Sequence, residues 1–393
     1  MSEVRPQLFI TLVHGTWGRG FFPRRQRQDR PPFWFEERSP FLAHLSAELG
    51  DIPQKIKPLL WSGANSIYVR DKTAQVLAEH LSAEHAEHPQ ATQLIIAHSH
   101  GGNIALRALH HLQKRDAAQL CWEESANPFI VTLATPFIEV HQADFGRRPF
   151  YIRVAILNAI SWLLMLSIFL GPGFIKLPES YAWIVLIYVL INFCCLGLTW
   201  WWGLRWISRS TARQTQLNAL KDATQLGERV SAKRLLVIRA IDDEASLVLA
   251  LGAIFNYVTA HFITYVAVLF SLLSPIPAAV AFAVDYQWLS WGLSINWYWV
   301  SYAIATVYSA LIILLVGTLI VSRSVHGREL AVSPMECQVN TQSAPDAVYL
   351  SKIVTLVSRR YVKSLRHGIY GHEDCAKAIS DWVRSHLCAL TVR

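Results

Sequence analysis

Four long runs of uncharged, mostly apolar residues constrain the fold of this chain more than any other feature. They cover residues 154–175, 180–204, 245–284 and 286–322, and the only histidine among them is His261. About twenty consecutive apolar residues cross the hydrocarbon layer of a bilayer, which is roughly 30 Å thick. Because a soluble protein rarely needs four runs of this length, the sequence predicts an integral membrane protein.

The runs are predicted to form two transmembrane helical hairpins. The first hairpin, within residues 151–207, turns at a stretch that contains glycine and proline, at 171–178. The second hairpin lies within residues 246–322, where Pro275 and Pro277 must interrupt a run that is too long for one helix. The elements expected there are an apolar helix beside the membrane and two spans, at 246–256, 258–280 and 297–321.

The tryptophans and the composition agree with a membrane location. Indole rings favour the boundary between lipid and water. Two clusters of tryptophan flank the predicted spans: Trp200, Trp201, Trp202 and Trp206 in one, and Trp288, Trp291, Trp297 and Trp299 in the other. Only 16% of the 393 residues are charged, against roughly 25% in soluble domains, which argues against an ordinary soluble enzyme.

We assign the net charge of +8 to contact with a membrane surface. A nucleic-acid partner is not expected, because no basic cluster is interleaved with aromatic residues.

Outside these runs the chain alternates short apolar strands with amphipathic helices. Strands are predicted at 8–13, 56–61, 93–97, 129–133 and 235–240, with shorter ones at 335–339 and 353–357. Helices are predicted at 40–49, 71–86, 101–115 and 374–387. Strands that alternate with helices pair in parallel. The expected fold is therefore an α/β fold with a mostly parallel sheet and flanking helices, interrupted by two transmembrane helical hairpins.

The strongest chemical signal is Ser99, in the sequence Ala-His-Ser-His-Gly-Gly at residues 97–102. A predicted strand precedes this serine and a predicted helix follows it, so the serine lies on a sharp turn between them. Small residues at Ala97 and Gly101 let the turn close, which raises the hydroxyl above the sheet and points the helix N-terminus at it. This pattern is the nucleophile elbow with alanine in place of the first glycine, and it predicts Ser99 as a catalytic nucleophile.

A second motif, His14-Gly15-Thr16-Trp17-Gly18, follows the first predicted strand. Acyl transfer needs backbone N–H groups that point at the oxyanion of the tetrahedral intermediate, and one of them comes from a loop of this type. The other N–H group belongs to the residue after the nucleophile. We therefore expect the N–H groups of Thr16 and His100 to form an oxyanion hole.

A catalytic triad also needs an acid and a base, and both follow Ser99 in the required chain order. The strand at 235–240 leads into Asp242 and Asp243, where a carboxylate can orient a histidine. Asp243 is the preferred acid and Asp242 the alternative, and either can also cap the apolar helix that follows. His367 and His372 precede the final helix, and His367 is the preferred base.

Six segments outside the apolar runs carry a family resemblance: LFITLVHGTWG, LLWSGANS, LIIAHSHGGNIAL, VTLATPF, VIRAIDDEASL and LRHGIYG. In this order they resemble a poorly characterised group of lipase-like α/β-hydrolases that carry transmembrane segments. The resemblance implies the α/β-hydrolase fold and a triad of Ser99, an aspartate and His367.

The apolar runs and the motifs divide the chain into five segments. Two are expected in the membrane, at 151–207 and 246–322. Three are expected to form the hydrolase core: 1–150 with the nucleophile and the oxyanion loop, 208–245 with the acid-bearing strand, and 323–393 with the catalytic histidine.

The expected function is that of an integral membrane serine hydrolase that cleaves carboxylic esters of a lipid or another amphipathic molecule through an acyl-enzyme. This chemistry needs no metal and no organic cofactor. Two alternatives are an acyltransferase that uses the same triad and a catalytically silent membrane scaffold with a hydrolase fold. The six cysteines have no CxxC pair and no zinc-site spacing, so we expect free thiols in a reducing compartment.

Charge predicts the orientation in the membrane. Hydrolase segments that share one sheet must lie on one side of the bilayer. The loops inside the hairpins carry a single basic residue, Lys176, whereas the hydrolase side is flanked by six arginines: Arg147, Arg148, Arg153, Arg205, Arg209 and Arg323. The positive-inside rule therefore predicts that the hydrolase domain and both termini are cytoplasmic.

Overall fold

The computed structural model describes nine stretches of the chain. They are residues 8–18, 31–119, 127–142, 210–224, 234–240, 326–330, 337–342, 352–356 and 368–391, together with the helical residues 247, 251, 252 and 254. The predicted membrane segment 151–207 lies outside the described residues, and so does 246–322 apart from those four helical residues. No helix within the described stretches is both long enough and apolar enough to cross a bilayer.

The described residues form eight strands and five α-helices. The strands are β1 (Leu8–Val13), β2 (Gln54–Leu59), β3 (Thr92–His98), β4 (Phe129–Leu133), β5 (Phe137–Gln142), β6 (Leu235–Ala240), β7 (Cys337–Gln342) and β8 (Lys352–Leu356). The helices are α1 (Pro40–Leu49), α2 (Ile67–Glu87), α3 (His100–Gln119), α4 (Ser210–Thr224) and α5 (Glu373–Thr391).

Six of the strands form one parallel sheet in the order β2-β1-β3-β4-β6-β8. The predicted α/β class with a mostly parallel sheet is thus confirmed. Strands β3 and β4 read as nearly continuous apolar runs because the strands of a parallel sheet are covered on both faces. Strands β5 and β7 pair antiparallel in a separate two-stranded sheet.

Helices cover both faces of the parallel sheet. Alternate residues of β3 point to opposite faces, so Ile96 packs in the core that α1 and α5 cover, and Ile95 packs in the core that α2 and α3 cover. Leu45 of α1 and Trp382 of α5 are fully buried in the first core, and Leu77 of α2 is fully buried in the second. The result is a three-layer architecture of helices, sheet and helices.

Helix α1 begins where the sequence predicts. Ser39 precedes it in an extended conformation and accepts a hydrogen bond at its Oγ from the N–H of Leu42, at 3.3 Å. Pro40 occupies the first turn, where its missing N–H costs nothing. Four apolar residues at helical spacing then face the sheet, which fixes the side of the helix that is buried: Phe41, Leu42, Leu45 and Leu49.

Several element boundaries differ from the predicted ones for physical reasons. Strand β2 begins two residues early, at Gln54, because its pairing with β1 starts there, opposite Leu8. Helix α2 begins at Ile67 because Ser66 caps it and accepts a hydrogen bond from Val69 N at 3.2 Å. The strand predicted at 335–339 is β7, at Cys337–Gln342, and it pairs with β5 outside the main sheet.

The short segment 326–330 docks on the first turn of α2. The carboxylate of Glu329 accepts hydrogen bonds from Ser66 Oγ and from the N–H of Ile67, the latter at 2.9 Å. Arg70 donates from Nη2 to the carbonyl of His326 at 2.9 Å. This segment follows the last predicted membrane span by a few residues in the sequence, so the contact returns the chain to the α/β core.

A partly buried charge cluster ties three helices together on one face of the sheet. Arg107 of α3 donates from Nε to Asp71 Oδ1 of α2 at 2.7 Å and from Nη2 to Asp222 Oδ2 of α4 at 3.0 Å. His111 Nε2 hydrogen-bonds the same Asp71 oxygen at 2.9 Å. Burial alone would raise the pKa of Asp71, but the hydrogen bonds from His111 and Arg107 outweigh it and hold the pKa below 3.8.

This cluster predicts an acid-dependent contribution of Asp71 to stability. Its pKa is lower in the folded than in the unfolded state, so its contribution is full above the ordinary value of 3.8 and is lost as the pH falls through the folded pKa. Asp71→Asn should lower the free energy of unfolding at pH 7 by about 2 kcal/mol. Urea titrations in detergent should show this difference shrinking in acid.

Asp222→Asn is the matched control. Asp222 binds the same arginine, but its side chain is 56% exposed, so its loss should cost less than about 1 kcal/mol. Equal losses for the two variants, or a difference between wild type and Asp71→Asn that stays constant with pH, would contradict the assignment.

Candidate active site

The turn between β3 and α3 holds Ser99 in a strained backbone conformation. Its φ angle is 54°, in the left-handed region that residues other than glycine avoid. The Ser99 N–H donates to the carbonyl of Leu133, at the end of β4, at 2.8 Å, and the Gly102 N–H donates to the Ser99 carbonyl at 2.9 Å. The predicted strand, sharp turn and helix around Ser99 are therefore present.

Strained residues recur at the same edge of the sheet. Three non-glycine residues in the described part of the chain have a positive φ: Trp17 at 55°, Ser99 at 54° and Ala134 at 47°. They follow the carboxyl ends of β1, β3 and β4, respectively. Backbone strain of this kind costs of order 1–3 kcal/mol for each residue and persists mainly at functional sites. The edge that carries Ser99 is therefore the candidate site.

Glycines allow the loops at this edge to pack against one another. A Cβ on Gly15 would lie 2.6 Å from Ser99 Cβ and 3.1 Å from Ser99 Oγ, and a Cβ on Gly101 would lie 2.4 Å from the carbonyl oxygen of Val13. Real Cβ atoms do not approach other atoms so closely. Glycine at both positions thus allows the loop after β1, which carries Thr16 of the predicted oxyanion hole, to pack against the turn that carries Ser99.

The strand order gives Ser99 a special position in the sheet. From β1 the chain passes to β2 on one side, and it then returns to β3 on the other side of β1. Parallel α/β sheets bind ligands at such a reversal, outside the carboxyl ends of the strands. Gly15 follows β1 and Ser99 follows β3, so the two residues flank this point of reversal.

Stacked aromatic rings fix the loop that follows β1. The His14 ring lies between those of Phe35 and Trp61, with centroid distances of 4.7 and 5.4 Å. His14 Nδ1 donates to the Gly15 carbonyl at 2.9 Å, and Trp61 Nε1 donates to the His14 carbonyl at 2.9 Å. The sequence motif did not predict this support, although the aromatic triplet at 33–35 was a signal for it.

The backbone N–H groups of the loop after β1 differ in their hydrogen bonding. Trp17 N donates to the Gly63 carbonyl at 3.0 Å and Gly18 N donates to the Gly15 carbonyl at 3.1 Å, but within the described residues Thr16 N has no acceptor. His100 begins α3, so the positive end of the helix dipole lies next to Ser99. The structure therefore brings Thr16 and His100, the two residues predicted to form the oxyanion hole, to the turn that carries Ser99 (the nucleophile turn).

The packed rings of Trp34, His98 and Tyr370, here called the aromatic wall, connect the residue before Ser99 with the segment before α5. The Tyr370 ring lies 5.0 Å from the ring of His98 and stacks on Trp34 at 5.3 Å. Burial raises the pKa of the Tyr370 phenol above its ordinary value. Tyr370 follows His367 by three residues, and no motif in the sequence predicts its contact with the residue before Ser99.

Of the predicted acids and bases, only the alternative base lies within the described residues. Asp242, Asp243 and His367 lie outside the described residues. Asp242 and Asp243 follow β6 in the sequence, and β6 ends at the same edge as β3. The alternative base, His372, accepts a hydrogen bond at Nδ1 from the N–H of Asp374 at 3.2 Å, so it caps helix α5.

Neither a metal centre nor a relative helps to identify the site. The part of the chain that the structure describes has no group of three metal-ligating side chains arranged around one point. Comparison with protein-family models, with characterised proteins and with solved structures gives no match. The chemistry of the site must therefore be inferred from its own residues.

The strained turn predicts an unusual order of stabilities. Ser99→Gly should be more stable than Ser99→Ala by about 1 kcal/mol, because glycine adopts a φ of 54° without strain and alanine does not. Urea denaturation in detergent measures the difference.

Ser82, inside helix α2, supplies the control pair. There Ser82→Gly should be less stable than Ser82→Ala by about 1 kcal/mol, the ordinary order for a helix. The same order at both positions would mean that Ser99 is not strained.

Proposed function

We propose that this protein is a serine hydrolase that cleaves carboxylic esters through a covalent acyl-enzyme. The observation that carries the proposal is the strained Ser99 turn, with φ at 54°, against which Gly15 of a neighbouring loop packs. An ordinary strand-to-helix turn requires neither the strain nor the close approach. A nucleophile elbow beside an oxyanion loop requires both.

In the proposed reaction, Ser99 Oγ attacks the carbonyl carbon of the ester and gives its proton to His367. The carbonyl oxygen becomes an oxyanion, which accepts hydrogen bonds from the N–H groups of Thr16 and His100. The intermediate then collapses, and the alcohol leaves with the proton from His367. Water repeats these steps on the acyl-enzyme and releases the acid.

The proposed acid and base are supported by their places in the chain. Asp243, with Asp242 as the alternative, follows β6, which is separated from β3 only by β4. His367 precedes the segment that carries Tyr370, whose ring contacts that of His98. The capping role of His372 favours His367, because a hydrogen bond to helix α5 occupies one nitrogen of the alternative base. The carboxylate would hold the histidine in the tautomer that accepts the proton.

The proposed substrate is an ester of a lipid or another amphipathic molecule, and the protein is proposed to act at a membrane. The uncharged runs predict membrane spans, which would place the site where amphipathic esters concentrate. Two exposed apolar side chains at the same sheet edge support such a substrate. Trp17 follows β1 and is 42% exposed, and Leu60 follows β2 and is 63% exposed.

The central test is covalent labelling of Ser99. A fluorophosphonate probe should label the wild-type protein in detergent, and Ser99→Ala should abolish both labelling and the hydrolysis of short p-nitrophenyl esters. Ser82→Ala, which removes a hydroxyl from helix α2, should retain both. Equal labelling of wild type and Ser99→Ala would exclude Ser99 as the nucleophile and favour a silent scaffold.

The same assay distinguishes the candidate acids and bases. Loss of the base should lower kcat by several orders of magnitude, so His367→Ala should be nearly inactive and His372→Ala active. Asp243→Asn should be impaired more than Asp242→Asn. The opposite result for the two histidines or for the two aspartates would make the alternative residue of that pair the catalytic one. Ester product that appears only when an alcohol is added would identify an acyltransferase.

The proposed orientation places the hydrolase domain and both termini in the cytoplasm. Strands from residues 8–133, 235–240 and 352–356 share one sheet, which supports a single side for all three segments. In a cysteine-free background, a membrane-impermeant maleimide should label intact cells at cysteines that replace Lys176 and Ser290. Cysteines that replace Ser231 and Ser343 should react only after lysis. The reverse pattern would overturn the orientation.

A further inference from the structure

The side-chain hydroxyl of Thr16 is buried without a hydrogen-bond partner. Its Oγ1 has almost no contact with solvent, and no acceptor or donor reaches it within the described residues. Leaving a buried hydroxyl unpaired destabilises a folded protein, and most buried polar atoms in folded proteins do have partners. An exception beside a candidate active site therefore calls for a functional explanation.

The position of Thr16 is fixed by its neighbours. Gly15 packs directly on Ser99, since a Cβ on Gly15 would lie 3.1 Å from Ser99 Oγ. On the other side, Trp17 is held at a φ of 55° by its hydrogen bond to the Gly63 carbonyl. These contacts fix the backbone on both sides of Thr16, so the residue that carries the unpaired hydroxyl directly follows the glycine that packs on Ser99.

We infer that the Thr16 hydroxyl is a third donor to the oxyanion, in addition to the backbone N–H groups of Thr16 and His100. The inference rests on the proposed ester hydrolysis and assigns a side chain to the same site. When Ser99 attacks, the hydroxyl donates a hydrogen bond to the negatively charged oxygen and keeps its own proton.

The energetic advantage follows from when the hydrogen bond forms. The hydroxyl is unpaired in the free protein and becomes paired with a charged acceptor in the transition state. An interaction that is stronger in the transition state than in the ground state raises kcat. Removing one oxyanion donor costs roughly 10²–10³ in kcat in other acyl-transfer enzymes.

The test compares three variants of the full-length protein in detergent. Thr16→Val keeps the shape of the side chain without its hydroxyl, and Thr16→Ser keeps the hydroxyl. Thr132→Val, at the penultimate position of β4, also removes a buried hydroxyl that has no partner among the described residues, but Thr132 pairs with Ala97 of β3 within the sheet. Steady-state kinetics with a p-nitrophenyl ester give kcat and KM for each variant.

Thr16→Val should lower kcat by about 10²–10³ and change KM by less than about threefold. Thr16→Ser should recover kcat to within about tenfold of wild type, and Thr132→Val should retain it. An alkyl boronic acid, which forms a tetrahedral adduct with the serine, should bind Thr16→Val more weakly by a similar factor. The free energy of unfolding of Thr16→Val should not fall, because no hydrogen bond is lost in the free protein.

Two outcomes would overturn the inference while leaving the proposed function intact. One is an unchanged kcat in Thr16→Val with Ser99 still labelled by fluorophosphonate. The other is a Thr16→Ser variant as impaired as Thr16→Val, which would point to packing. Failure of Ser99 labelling in the wild type would instead reject the proposed function.

Discussion

The loop after β1 packs so closely against the turn after β3 that there is no room for a methyl group between them. Gly15 makes this contact with Ser99, and the order of strands makes it possible, because β1 and β3 are neighbours in the parallel sheet. The two loops therefore leave the sheet at the same edge. Any larger residue at position 15 would push the loop after β1 away from Ser99.

The rest of the structure holds this contact under strain. The positive φ angles of Trp17, Ser99 and Ala134 are unfavourable, at about 1–3 kcal/mol each. They persist because each follows a strand whose side chains are almost fully buried between two layers of helices. The stacked rings around His14 give the first loop the same rigidity that the helix gives the second. A rigid core is thus what allows strained, precisely oriented loops at one edge.

The sequence predicted much of this core and little of what surrounds it. Strands β1, β4 and β6 have the predicted boundaries, because each is a short apolar run with clear breaks at its ends. Helix α4 was not predicted, since it is mostly polar. In the structure it is held by the buried side chains of Leu217 and Leu220 and by the ion pair of Asp222 with Arg107. Such an element is determined by its tertiary contacts, which local patterns do not contain.

The candidate site, like the core, was predicted only in part from the sequence. Ser99 and the loop at 14–18 were predictable because glycine and small residues must occupy fixed positions around a tight turn. The aromatic wall of Trp34, His98 and Tyr370 joins residues far apart in the chain, and no spacing rule predicts it. The acid and base were predicted from chain order, and Asp242, Asp243 and His367 lie outside the described residues.

The position of β6 between β4 and β8 also affects how the protein is made. When β4 leaves the ribosome, its neighbour β6 is still about 100 residues away, several seconds at a synthesis rate of roughly 5–20 residues per second. During that time one edge of β4 presents unpaired N–H and C=O groups, which can pair with a strand of another chain. The sheet is complete only after β8 has been synthesised. The growing chain must therefore keep the sheet edge that carries Ser99 intact while much of its sequence has yet to appear.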